Sequence, residues 1–318
     1  MGMGGLGGMK GDRNPSISAG FLGGWVVAVR GSGDWRGWLQ WVESRRSGRF
    51  GRDQPLPAFW SFRLMSAVVR LGLFGGVLGG LAMSSASVDA ATLKMRFEYG
   101  GSTPEPAVIK ATADPQFCGQ HKLIDESLLV DGETKGIKNI VVYVHTGRGG
   151  SKLDDVEPAG NTHELANQNC RFEPHIVIAQ KGDTLKVTNP DPVGHNANMN
   201  FFNNKAQNPM IPAGGDVEVE LKESEPGAIP VECSIHPWMK SYLMVLDHPY
   251  AGVSNENGEV VIENLPEGEE LKFRVYHESL RIKQYVDKDT GEKEKLKRAM
   301  FEVDVKEGEN DLGTWVVQ

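Results

Sequence analysis

The chain has only three cysteines in 318 residues, Cys118, Cys170 and Cys233, which excludes a scaffold built from disulfides. The stretch Cys118-Gly-Gln-His121 lacks the second cysteine of a haem-attachment signal, so covalently bound haem is excluded too. No basic cluster offsets a formal net charge of -8, which argues against nucleic acid as a partner. No apolar run reaches the ~20 residues of a stable membrane span. No period of fixed length recurs, so the chain is not a repeat array. Strong amphipathic helix patterns are also missing, which leaves short strands as the building units.

What is present begins with an unusual N-terminal stretch. Residues 1–64 are dominated by glycine and arginine and hold five of the seven tryptophans. They set Lys10 and eight arginines against Asp12, Asp34, Glu43 and Asp53, so the rest of the chain is more acidic than the total charge suggests. This segment reads as an unstructured arm or as an over-extended translation start. Residues 65–90 read as a signal peptide: Arg63 and Arg70 are the basic region, Leu71 to Met83 the apolar core, and Val88-Asp89-Ala90 the cleavage site. The mature chain is then expected to start near Ala91, periplasmic or secreted, with an uncleaved anchor as the alternative.

The mature chain reads as all-β. Leu93, Met95, Phe97 and Tyr99 alternate with polar residues, the pattern of a half-buried strand. Short β-branched runs at 108–109, 136–144, 175–179, 184–189, 217–221 and 242–246 are bounded by turn residues, which predicts an antiparallel sandwich over 91–249. Residues 146–169 read as a long polar loop. From 250 to 318, runs at 259–262, 271–276, 299–305 and 312–317 predict a smaller β block. About 70 residues make a small independent core, so this block is expected to pack on the first domain and to take Thr92–Tyr99 into its own sheet. The charged stretch 292–298 reads as a hairpin tip or solvated arm.

One cluster of residues carries chemistry. Cys233-Ser-Ile-His236-Pro-Trp-Met239 places a thiolate, an imidazole and a thioether three residues apart, so a single tight loop can turn all of them toward one point. Pro237 fixes its own backbone and restricts His236. His195, in Pro192-Val-Gly-His195-Asn196, supplies a second imidazole from another strand end. Thiolate and thioether suit Cu(I), and two imidazoles keep Cu(II) accessible, so the donor set suits one copper ion that changes oxidation state; zinc is the alternative. With Cys233 used in this way, Cys118 and Cys170 are left to pair in a disulfide. The rival use of Cys118 is a second metal site with His121, His163 or His175.

The stretch from Cys233 to Met239 resembles the ligand loop of type 1 blue copper proteins, in the short form found in amicyanin-like, pseudoazurin-like and plastocyanin-like cupredoxins. Lys181 to Asn189, followed by Gly194-His195-Asn196, is similar to the segment leading to the family's first histidine. The resemblance covers about residues 175–247 and implies a cupredoxin-like Greek-key β-sandwich. It makes His195, Cys233 and His236 the equatorial ligands and Met239 the weak axial one. It also makes Asn196 the tie to Ser234. It implies electron entry at the exposed edge of His236, in an apolar patch drawn from Trp238, Met199, Phe201 and Phe202. The later block, with Gly258, Leu265-Pro266 and Gly268, resembles a carboxypeptidase-regulatory-like or transthyretin-like sandwich. The whole is similar to exported, planctomycete-type methylamine utilisation protein homologues.

The function this implies is one-electron transfer by one type 1 copper between redox partners, such as a c-type cytochrome and a periplasmic oxidoreductase. Copper oxidase or reductase activity is not expected, because the eight histidines include no His-x-His pair for a second copper cluster. The alternative is a module that senses or stores copper, or docks on a surface, without electron-transfer turnover.

Overall fold

The structure is a computed structural model and describes residues 18–22, 25–29, 91–158 and 160–317. The expected signal peptide and its cleavage site lie outside the described residues. The chain divides into two units, Met1–Leu81 and Ala82–Gln318. In the first, β1 (Ser18–Leu22) and β2 (Trp25–Val29) pair as an antiparallel hairpin.

The second unit opens with β3 (Ala91–Tyr99), β4 (Val141–Val144), β5 (Thr162–Gln168), β6 (Arg171–Glu173), β7 (Ile176–Gln180) and β8 (Thr184–Thr188). It continues with β9 (His195–Asn196), β10 (Asn198–Met199), β11 (Met210–Ile211), β12 (Asp216–Glu220), β13 (Ile229–Glu232) and β14 (Lys240–Leu246). The last strands are β15 (Ala251–Val253), β16 (Glu259–Leu265), β17 (Glu270–Tyr276), β18 (Gln284–Asp287), β19 (Lys293–Lys295), β20 (Met300–Asp304) and β21 (Glu309–Val317). A single 3₁₀ turn, Cys118–Gln120, is the one helical element among the described residues.

These strands build two β-sandwiches, so the all-β architecture read from the sequence is the one observed. In the first, the sheet β12-β8-β5-β6 faces the sheet β10-β13-β14-β7. Leu165, Phe172, Leu185 and Val187 meet Val177, Val231, Leu243 and Val245 in one core. In the second, the sheet β15-β4-β17-β20 faces β16-β3-β21-β18-β19 around Leu93, Phe97, Val142, Phe273 and Trp315.

The two sandwiches also share a core of their own. Ile176, Met244 and Leu246 point away from the first sandwich and pack on Val141 and Tyr143, which point away from the second. Successive side chains of a strand face opposite sides, so β4, β7 and β14 are buried on both. This is why they read as continuous apolar runs rather than as alternating ones.

Two sequence expectations need correction. The division of the sheets does not follow a cut at residue 249: β3 joins the sheet of the later block, as expected, but β4 also lies in the second sandwich, in its other sheet. The segments that carry His195 and Cys233–Met239 therefore lie in a stretch that leaves this sandwich after β4 and returns to it at β15. The polar stretch 146–169 is not all loop, since it contains β5, paired in parallel with β8. Its inward positions are His163, Leu165 and Asn167, of which only Leu165 is apolar, so no hydrophobic alternation marked it. The buried Asn167 instead donates to the Thr188 carbonyl.

Glycine is required where the Asn255–Gly258 turn touches β3. At Gly258 φ is +79°, and an added Cβ would lie 2.1 Å from the Phe97 carbonyl oxygen.

Candidate metal centre

β13 and β14 pair antiparallel, and the loop between them is 233–239. Two backbone bonds close it: Cys233 N–H donates to the Met239 carbonyl at 3.2 Å, and Met239 N–H to the His236 carbonyl at 2.8 Å. His195 is placed by β9, where it pairs with Ile211 of β11. The approach to β9 is organised by the buried Asn189. Its amide donates to the carbonyls of Val193 and Ile211, both at 2.9 Å, and its oxygen accepts from Asp191 N–H.

The loop and β9 bring the three expected equatorial groups together. Cys233 Sγ lies 4.0 Å from His195 Nδ1 and 3.7 Å from His236 Nδ1. The ligand atoms of these three residues all lie within 4.8 Å of one another. His195 and His236 are fully buried, and Cys233 and Met239 nearly so. Three donor atoms this close together leave a common centre no more than about 2.5 Å from each, near the N and S bond lengths of a first-row divalent ion. Softness and spacing of the donors both fit copper.

Burial pushes the Cys233 thiol up, but the imidazoles of His195 and His236 outweigh it and bring its pKa to about 5. Burial acts against a charged His236 in turn, yet the thiolate of Cys233 and the carboxylate of Asp114 hold its pKa above the ordinary value. Asn196 ties the two ligand segments together. Its Oδ1 accepts from Ser234 N–H at 2.8 Å, and its amide nitrogen donates to Asn208 Oδ1 at 2.7 Å.

Cys118 and Cys170 form a disulfide, so neither offers a thiolate to a metal. This removes the rival site at Cys118 and the grouping of Cys170 with Asp191 and His195.

The apolar patch expected around His236 is not formed as described. His236 has no exposed edge, because its Nε2 meets Asp114 Oδ2 at 2.9 Å. Met199 is fully buried in the first core, and only Phe202 stands out strongly, 76% exposed. Trp238 is half-buried, its ring edge-on to His236 and its Nε1–H bonded to the Cys170 carbonyl at 3.0 Å. Phe201 is half-buried against the first core.

Two carboxylates at the site were missed by the sequence reading. Asp191 Oδ2 meets His195 Nε2 at 3.0 Å, and Asp114 does the same for His236. The first has a local signal, since Asp191 stands four residues before His195 in a proline-containing turn. The second has none, because Asp114 is more than a hundred residues from His236 in sequence.

No protein-family model matches the chain, and no curated protein matches it. Solved structures it is similar to include cupredoxins. A mutant of amicyanin in its Cu(I) form is 19% identical, covering 26% of this chain and 79% of its own, with a TM-score of 0.24. The purple cupredoxin from Nitrosopumilus maritimus is 26% identical over 26% of this chain and 97% of its own, with a TM-score of 0.22. A Cu-containing nitrite reductase from Thermus scotoductus SA-01 is 22% identical over 32% of this chain and 25% of its own, with a TM-score of 0.24. At such TM-scores the likeness carries no argument, and the chemistry rests on the site's own geometry.

Proposed function

We propose that the chain is a type 1 copper protein that carries single electrons between redox partners outside the cytoplasm. The observation that carries this reading is the buried Cys233 sulfur, with two imidazole Nδ1 atoms 3.7 and 4.0 Å away and Met239 buried in the same loop. His195, Cys233 and His236 would hold copper, with Met239 as the weak fourth donor, and bound copper would supply a Cu(II)/Cu(I) couple.

The protein's part is to hold these donors still. A thiol with a pKa of about 5 is largely thiolate at neutral pH, so little free energy is needed to deprotonate it. Burial keeps water from the donors, and Asn196 fixes the distance between the His195 strand and the Cys233 loop. The Cys118–Cys170 disulfide suits an oxidising compartment. Among the described residues no helix is long and apolar enough to cross a membrane. The acidic surface would favour approach to a basic redox protein, such as a c-type cytochrome or a periplasmic oxidoreductase, in a salt-sensitive encounter.

The test is the visible spectrum of the Cu(II)-loaded protein and of Cys233→Ser. An intense thiolate-to-copper band that disappears in the variant is expected; no band in the parent protein refutes the reading. The burial of His236 beneath Asp114 favours a second reading, a copper-binding module that stores or senses the metal, because it removes the imidazole edge from partners. The reduction potential and the exchange rate with a c-type cytochrome separate the two, since a site that fails to cycle supports storage or sensing.

A further inference from the structure

We infer that Asp114 and Asp191 are positioning residues for the metal centre, one carboxylate for each imidazole, and that the Cys118–Cys170 disulfide braces both. The inference rests on the copper reading.

A carboxylate on Nε2 sets the tautomer of its imidazole. With the ring hydrogen on Nε2 and directed at the carboxylate, the Nδ1 lone pair is free, and in both rings Nδ1 is the atom that faces Cys233 Sγ. Asp191 is fixed for this task. It is 4% exposed, its Oδ1 accepts from Asn169 N–H at 2.7 Å, and its Oδ2 accepts from Cys170 N–H at 2.8 Å. Asp114 is held from its backbone, where its carbonyl accepts from Phe117 N–H at 3.0 Å and Cys118 N–H at 2.9 Å.

The two cysteines in these contacts are the two ends of one disulfide. Cys170 holds the side chain of Asp191, and Cys118 closes the turn that begins at Asp114. A single covalent bridge thus ties together the groups that orient two ligands coming from different parts of the chain. The two negative charges beside the site also favour the divalent ion over the monovalent one. The Asp114 side chain additionally lies over the ring edge that would otherwise reach the surface, so it shields His236 as well as orienting it.

The experiment uses the mature chain with Asp114→Asn and Asp191→Asn, substitutions that keep an acceptor oxygen and remove the charge. Cu(II) affinity is read by chelator competition, the potential by spectroelectrochemistry, and the stability of the metal-free chain by urea unfolding. Each variant is expected to bind Cu(II) about 10- to 100-fold more weakly, and the potential to rise by about 59 mV for each tenfold loss that spares Cu(I). Asp114 has a side chain 43% exposed, so Asp114→Asn should leave the unfolding curve nearly unchanged and answers the question even where Asp191→Asn does not fold. A parent protein with the thiolate band, and an Asp114→Asn variant with the same potential and Cu(II) affinity, overturns the inference alone. A parent protein without that band overturns the copper reading and the inference together.

Discussion

His277 makes the stability of the second sandwich depend on acid. Its ring is 7% exposed, and its Nδ1 accepts from Leu280 N–H at 3.1 Å and from Ser279 N–H at 3.3 Å. Only the neutral ring can accept in this way, so protonation replaces an acceptor with a donor facing two other donors. Burial brings its pKa to about 4, against the opposing influence of the Glu278 charge and the Lys138 carbonyl. In the unfolded chain the value is ~6.5. The folded value is the lower of the two, so the unfolded chain binds the proton more readily. The contribution is therefore present above the unfolded pKa and is lost as the pH falls from ~6.5 toward 4. Between pH 7 and pH 5 linkage gives a loss of about 2 kcal/mol from this one group.

The comparison is with His277→Asn, which keeps an acceptor near the Nδ1 position and cannot titrate. Urea unfolding of the metal-free protein at both pH values gives the free energies. The variant should be the less stable protein at pH 7, where it lacks the ring's packing, but the gap should narrow by about 2 kcal/mol at pH 5. A gap that stays constant to within about 0.5 kcal/mol would falsify the assignment of a neutral, buried ring.

Two other perturbations test the frame around the site. Replacing both Cys118 and Cys170 by alanine opens a loop with a sequence separation of 52 residues. By chain entropy this costs about 4 kcal/mol and lowers the thermal midpoint by about 10 °C, read by calorimetry; a shift under about 2 °C contradicts it. Glu225 is buried and its carboxylate accepts from the N–H groups of Phe202, Asn203 and Asn204. Glu225→Ala should cost about 1.5–3 kcal/mol in urea unfolding and speed amide exchange at residues 202–204. Unchanged exchange there would show that the carboxylate does not hold this loop.

The candidate cluster was legible because its chemistry is local. Cys233, His236 and Met239 share one loop, and His195 sits next to an asparagine at the end of a strand run. The strands facing solvent on one side were legible for the same kind of reason, since their alternation is written in neighbouring residues, as at Leu93, Met95 and Phe97. What escaped depends on contacts distant in sequence. β5 presents a histidine and an asparagine inward and is recognisable only from its partner β8. Asp114 becomes part of the site only because the loop carrying Cys118 is folded against Cys170. The exposure of His236, expected from a resemblance, is not observed because Asp114, distant in sequence, meets its Nε2.

The placement of β3 has a consequence for how the chain acquires its structure. β3 is the first strand of the second unit, yet its two neighbours are β16 and β21, the latter running to Val317. The parallel pairing of β3 with β21 therefore cannot form until residues 309–317 are available, even though β16 and β4 can cover part of Leu93, Met95 and Phe97 earlier. The segment that carries His195 and the Cys233 loop is complete well before then. The candidate metal centre can thus assemble before closure of the second sandwich, and the first strand of the second unit waits for its last.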